Sequence, residues 1–195
     1  MLKNKFVKWG VALVFLVAAV YSLTQNQKSY EQVMQEDRED YLETILSMEE
    51  SPIAGIEGFT DFNYYPISED YNVTADFEEV IGSKGFTIFM TDGSQEQLDM
   101  VGTATFELNG ELQKVTVYDE GETLLLPFRD PTNDKGTYGG GRYINIERTN
   151  TNKLFIDFNK AHNFYCAYNE AFVCPVPPQE NTLTVAVEAG EKVLK

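Results

Sequence analysis

The chain has 195 residues, 43% hydrophobic and 13% aromatic, which suffices to bury one sizeable core and gives no reason to expect a second folded domain besides a leader. Its 15 Lys and Arg stand against 31 Asp and Glu, and Lys3, Lys5, Lys8 and Lys28 precede every acid, so the part from Ser29 onward sets 11 basic residues against 31 acidic ones. A field of that sign repels nucleic acid and anionic lipid, and solubility is a plainer reading of it than a surface built for a cationic partner.

Three lysines precede WGVALVFLVAAVYSL, residues 9–23, an uncharged run of 15 that exceeds most signal-peptide cores yet falls short of the ~20 apolar residues of a comfortable membrane helix. Phe6 and Val7 lengthen the run if Lys8 snorkels, and Lys3 and Lys5 then hold that end in the cytoplasm. Tyr21, two positions after Ala19, spoils a small-x-small cleavage pair, and no cysteine follows closely enough for a lipid anchor. Residues 1–27 are expected to be an uncleaved signal anchor with a short linker, in preference to a cleaved signal peptide. That makes the membrane a partner and places a single-pass protein in the cytoplasmic membrane, its C-terminal domain outside the cytoplasm, in the periplasm of a Gram-negative host.

Over residues 28–50, Tyr30, Val33, Met34, Tyr41, Leu42, Ile45 and Leu46 recur at helical spacing with acids on the opposite face. Ser29 with Gln32 three residues on fits a capping box, and Pro52 supplies the stop. From 51 to 195 the period changes to two. Tyr71 to Glu78 alternates apolar and polar, GFTIFMT stops at Asp92-Gly93, and VGTATFEL and ELQKVTVY flank Asn109-Gly110, a strong hairpin signal because both turn residues tolerate positive φ. TLLLPF, RYINIE, KLFIDF and TLTVAVE follow. About eight short strands without a later long helix predict a mainly β domain, an antiparallel sandwich or a partly open barrel.

One loop stands out for chemistry. TYGGGRY, residues 137–143, sits where a loop with two turn signals enters a strand. Bare glycine amides can turn the same way and form a nest for an anion, and two of the chain's four arginines, Arg129 and Arg142, flank the loop. The candidate ligand-binding set is Arg129, Tyr138, Gly139, Gly140, Gly141, Arg142, Tyr143 and Asn159. The bland alternative is structural: a bulge, tyrosines lying on the backbone, and Arg129 paired with Asp130 or Asp134. No Walker A or dinucleotide fingerprint is present.

The second constellation, residues 157–175, holds the chain's one histidine, His162, between Asp157 and Cys166. Two cysteines in an exported chain are first read as a disulfide, Cys166 to Cys174. A thiol nucleophile beside His162, or zinc held by His162, both cysteines and Asp157, are the other readings, and the spacing fits no standard zinc motif, so no metal or cofactor is expected. GxSxG and HExxH are absent.

SPI, FNYYPISEDYNVTADF, LPFRDPTNDKGTYGGGRYINIE, IDFNKAHNFYCAYNEAFVCPVPPQENTL and VEAGE resemble in order an uncharacterised prokaryotic family, domain of unknown function 1684, in a match that covers roughly residues 38–191. The resemblance implies a compact, mainly β domain and no established activity, with family motifs on PFRD, TYGGGRY, DFN, Cys166, CP and PP. It also implies a tyrosine where this chain has His162 and a proline where it has Phe164, which argues against His162 as an obligatory catalyst or metal ligand. Both cysteines match the family.

Two functions are weighed. The first is a tethered binding or scaffold module for an anionic envelope ligand, such as a glycan or a peptide carboxylate, with tyrosines as flat walls. The alternative is a hydrolase whose Arg/Gly nest stabilises an oxyanion while Asp130, Asp157 or His162 handles protons. The first asks only for an anion site, whereas the second needs the loops 129–142 and 157–166 to converge.

Overall fold

The structure, a computed structural model, describes residues 5–25, 28–80, 82 and 85–194. Lys3, expected to orient the leader, lies outside them, as do residues 26–27 of the expected linker. The chain divides into two compact units, 1–33 and 34–195.

The first unit contains helix α1, Lys5–Gln25. Trp9, Leu13, Val14, Phe15, Leu16 and Val17 are all exposed, so its apolar groups face outward in every direction rather than along one stripe. Among the described residues no helix is long and apolar enough to cross a membrane. The transmembrane anchor expected over residues 9–23 is thus unsupported as a span. The capping box forms as predicted: Ser29 N–H donates to Gln32 Oε1 at 2.9 Å and Gln32 N–H to Ser29 Oγ at 3.2 Å, satisfying two donors at the start of α2, Tyr30–Ser47.

The second unit is built on a six-stranded antiparallel sheet curled into a half-barrel. Its strands are β1 (Asn72–Glu79), β4 (Met100–Leu108), β5 (Glu111–Glu120), β6 (Thr123–Phe128), β7 (Arg142–Glu147) and β8 (Lys153–Asp157), in the order β7-β6-β5-β4-β1-β8. The partly open barrel is the correct branch of the sequence expectation, and the sandwich is not. Asn109 and Gly110, at φ 53° and 80°, make the predicted tight hairpin between β4 and β5. β2 (Phe86–Phe89) and β3 (Gln95–Leu98) form a separate hairpin, and β3 escapes sequence detection because QEQL has no apolar alternation.

The concave face carries the main core: Ala104 and Phe106 of β4, Val115 and Val117 of β5, Leu124 to Phe128 at every second position of β6, Ile144 and Ile146 of β7, Leu154 and Ile156 of β8. A smaller aromatic cluster seats α2 through Ile45, with Ile53 and Phe62 buried beside it and Tyr41, Tyr64 and Tyr168 packed around them.

TLTVAVE is not a strand. It crosses the half-barrel as an extended tail that buries Leu183, Val185, Val187 and Ala189 in the main core. Alternation and burial are therefore as predicted, but side chains replace the ladder. Thr184 N–H donates to Gln113 Oε1 at 3.0 Å and Val187 N–H to Asp130 Oδ2 at 2.8 Å, and a short backbone bridge, Leu183 N–H to Arg129 O at 2.8 Å, starts the tail.

Candidate functional site

Strand parity decides the fate of Arg142. With Ile144 and Ile146 facing inward on β7, the period of two sends residue 142 inward as well, and its side chain is fully buried. Asp130 follows by the same rule two residues beyond Phe128. The guanidinium Nη2 meets Asp130 Oδ1 at 3.1 Å with both side chains at 0% exposure and donates to Val187 O of the tail at 2.8 Å, while Nη1 donates to Ala189 O. Thr132 Oγ1 donates to the same carboxylate at 2.8 Å. Arg142 is therefore no ligand-binding residue but the clamp that holds the tail. Burial pulls its pKa down while Asp130 opposes the shift.

The triple glycine keeps only part of its expected role. Gly141 N–H donates to Tyr138 O at 3.1 Å, closing a turn, and Gly141 itself has φ 103° with Phe128 O 2.7 Å from where a Cβ would sit. That is the structural reading, and it explains this glycine. Gly139 and Gly140 find no backbone acceptor among the described residues, but a side chain at Gly139 would meet Asp134 Oδ1 at 2.0 Å, so a carboxylate already lies against the loop. Tyr143 is buried and donates to Pro175 O; it also falls out of the set. Arg129 faces the other way from Asp130, as parity requires. Its Nε donates to Gly140 O at 3.5 Å, and it forms no ion pair among the described residues. The expected pairing with Asp130 or Asp134 does not occur. Tyr138, half-buried, lies close enough for Arg129 to lower its pKa against the larger effect of burial.

The acids and histidine named for hydrolysis are dispersed. Asp130 is held by Arg142. Asp157 Oδ1 accepts from Asn159 N–H at 3.0 Å and from Asn159 Nδ2 at 2.9 Å, capping the turn Phe158–Lys160. Asn159 is 1% exposed and its Nδ2 also donates to Ser68 O at 2.8 Å, so it is structural rather than ligand-binding. The His162 ring lies 5.2 Å from that of Tyr41, and desolvation keeps its pKa below the ordinary value. It opens onto a groove of about 490 Å³ shared with Tyr41, Asn145, Glu147, Asn159 and Lys160; Arg129, Asp130 and Asp157 are not among that groove's walls. No group of three or more potential ligands that could hold a metal occurs among the described residues.

The disulfide is not formed. Cys166 and Cys174 are free thiols. Cys166 N–H donates to Cys174 Sγ at 3.2 Å, which places the two cysteines side by side.

Sequence reasoning missed Glu191, although the parity of Leu183, Val185, Val187 and Ala189 points it inward. It is fully buried, accepting from Asn163 N–H at 2.9 Å, from Asn163 Nδ2 at 3.0 Å and from the Tyr168 hydroxyl. Burial pushes its carboxyl from 4.5 up to about 7, against the pull of Tyr168, Asn163 and Arg142. A raised acid favours the folded state when protonated. Its contribution is complete below about pH 4.5 and disappears as pH rises through about 7, at most about 3 kcal/mol. Glu191→Gln should flatten that part of the stability profile; thermal unfolding at intervals across the range checks it, and an unchanged slope would refute the assignment.

A half-barrel clamped by an inward Arg–Asp pair and a crossing tail defines a small β domain. The profile described as a protein of unknown function (DUF1684) matches residues 57–192, and the chain belongs to that family. It is similar to the solution NMR structure of an uncharacterised protein of Haloarcula marismortui, with 31% identity, a TM-score of 0.69, and coverage of 84% of this chain and 94% of that one. No curated protein matches the chain.

Proposed function

We propose that the protein is a membrane-tethered, extracytoplasmic binding module that holds a small anionic group of an envelope ligand at Arg129. One observation carries this reading. In a chain of net charge −16, Arg142 and Arg148 are neutralised by Asp130 and Asp119, whereas Arg129 forms no ion pair among the described residues. A guanidinium without a carboxylate, beside a half-exposed tyrosine and two glycine amides, suits a planar carboxylate. Asp134 against Gly139 disfavours a dianion, so a single carboxylate is preferred to a phosphate. The hydrolase alternative draws no support, because Asp130 and Asp157 are both occupied by structural hydrogen bonds.

The test uses N-acetyl-alanine and its amide, titrated by NMR into the full chain. The acid should bind more tightly by about 1.5 to 3 kcal/mol, and Arg129→Gln should erase the difference while leaving the melting temperature unchanged. Equal binding of acid and amide to the parent protein would end the proposal.

Outward-facing Trp9, Leu13, Phe15 and Leu16 support α1 as the tether, since apolar groups on all sides of an exposed helix need an apolar solvent. The full chain should resist carbonate extraction from membranes, and a chain lacking residues 1–27 should not. Release of both would remove the tether.

A further inference from the structure

The thiol pair borders the proposed anion site at Tyr138, but neither sulfur takes part in that reading. Cys174 is 1% exposed and pinned by Thr91, whose hydroxyl accepts from Cys174 N–H at 3.0 Å and whose N–H donates to Cys174 O at 2.9 Å. Cys166 is half-buried, so solvent reaches it. Cys166 N–H donates to Cys174 Sγ at 3.2 Å, so the two cysteines lie side by side, with Tyr138 close enough to affect the ionisation of Cys166. A half-buried thiol thus stands beside an enclosed one.

We propose that Cys166 is a reactive thiolate of a two-cysteine redox site, attacking hydroperoxides, with Cys174 placed to resolve the product. In the first step the Cys166 sulfur forms a bond to the distal peroxide oxygen, the O–O bond breaks, and the alcohol or water leaves with a proton; the sulfur is oxidised by two electrons and the peroxide reduced by two. In the second, the Cys174 sulfur displaces hydroxide from the Cys166 sulfenic acid, the Cys174 proton leaves with it as water, and an S–S bond forms. A thiol reductant returns both thiols.

The ionisation of the pair fits these roles. Donation from Cys174, and secondarily from Tyr138, brings Cys166 down to about 7, while the shared hydrogen bond and burial push Cys174 up. Cys166 N–H pulls Cys174 the other way, a smaller effect than its burial. Tyr143 and Tyr165 also face the pair; both are raised by burial and stay protonated, and Arg129 lies on the Tyr138 side. Neither step needs Arg129 to hold an anion, so this test can fail or succeed independently of the binding reading.

The experiment takes the full chain, reduced and freed of reductant, and adds one equivalent of hydrogen peroxide. Both thiols should disappear together, with a Cys166–Cys174 crosslink in the peptide map. Cys174→Ser should instead accumulate a dimedone adduct at Cys166. Iodoacetamide should modify Cys166 with a pH midpoint near 7, shifting up toward the ordinary thiol value of about 8.5 in Tyr138→Phe/Cys174→Ala, where both donors are gone. Alkylation at the pace and pH midpoint of an ordinary thiol, or two free thiols surviving the peroxide, overturns the proposal.

Discussion

Arg142→Met is expected to cost about 3 to 5 kcal/mol, enough to unfold many domains of this size, because it strands a buried carboxylate. Asp130 would keep its bonds from Thr132 and Val187 N–H, but no cation, and the carbonyls of Val187 and Ala189 would lose their donors inside an apolar core. Urea titration with a two-state fit measures the loss. Arg142→Met with Asp130→Leu should recover part of it, since removing both charges lifts the desolvation penalty, yet not all, because the tail backbone stays unpaired. A single-variant cost below about 1 kcal/mol would mean that the tail is held by its apolar side chains alone.

Asn181→Leu should be nearly as damaging, about 3 to 5 kcal/mol, for a different reason. Toward their ends β5 and β6 separate, with the last paired residues at Tyr118 and Leu125. Pro127 has no N–H to offer β5. The fully buried Asn181 amide fills the gap: its Oδ1 accepts from Thr116 N–H at 2.7 Å, and its Nδ2 donates to Thr116 O at 2.8 Å and to Pro127 O at 2.7 Å. It imitates one peptide unit of a strand and so tolerates a proline inside the sheet. Leucine would leave three backbone groups without partners, each worth about 1 to 3 kcal/mol before relaxation. Asn181→Asp should fail too, since an acceptor cannot face the two carbonyls. Hydrogen exchange at Thr116 checks the account locally: protection there should fall more than at Val115.

Most of the architecture is legible from period and turn chemistry. The hairpin at Asn109-Gly110, the capping box at Ser29 and the alternation of strands such as β4 and β8 follow from local rules, and local rules survive tertiary context here. The tail shows where they stop. Alternation in TLTVAVE reports burial on one side, and a backbone satisfied by Asp130, Arg142 and Gln113 produces the same pattern as a paired strand. The site was misread for a related reason. Composition makes Arg142 look like a rare cation beside flexible glycines, but RYINIE already carries its direction: if Ile144 and Ile146 are in, so is Arg142. Glu191 was readable in the same way from VAVEAGE. The openness of Arg129 and the contact between Cys166 and Cys174 depend on loop paths that no periodicity encodes.

The crossing tail also has a consequence for biosynthesis. Residues 182–192 leave the ribosome after the eight strands of the described residues, yet they supply the partners of Arg142, Asp130 and Gln113 and part of the main core. Until then the nascent half-barrel exposes an apolar trough with Arg142 and Asp130 at its floor, a surface that invites chaperones. Closure is a late, all-at-once event, and a stalled chain lacking the tail should remain protease-sensitive throughout rather than partly folded.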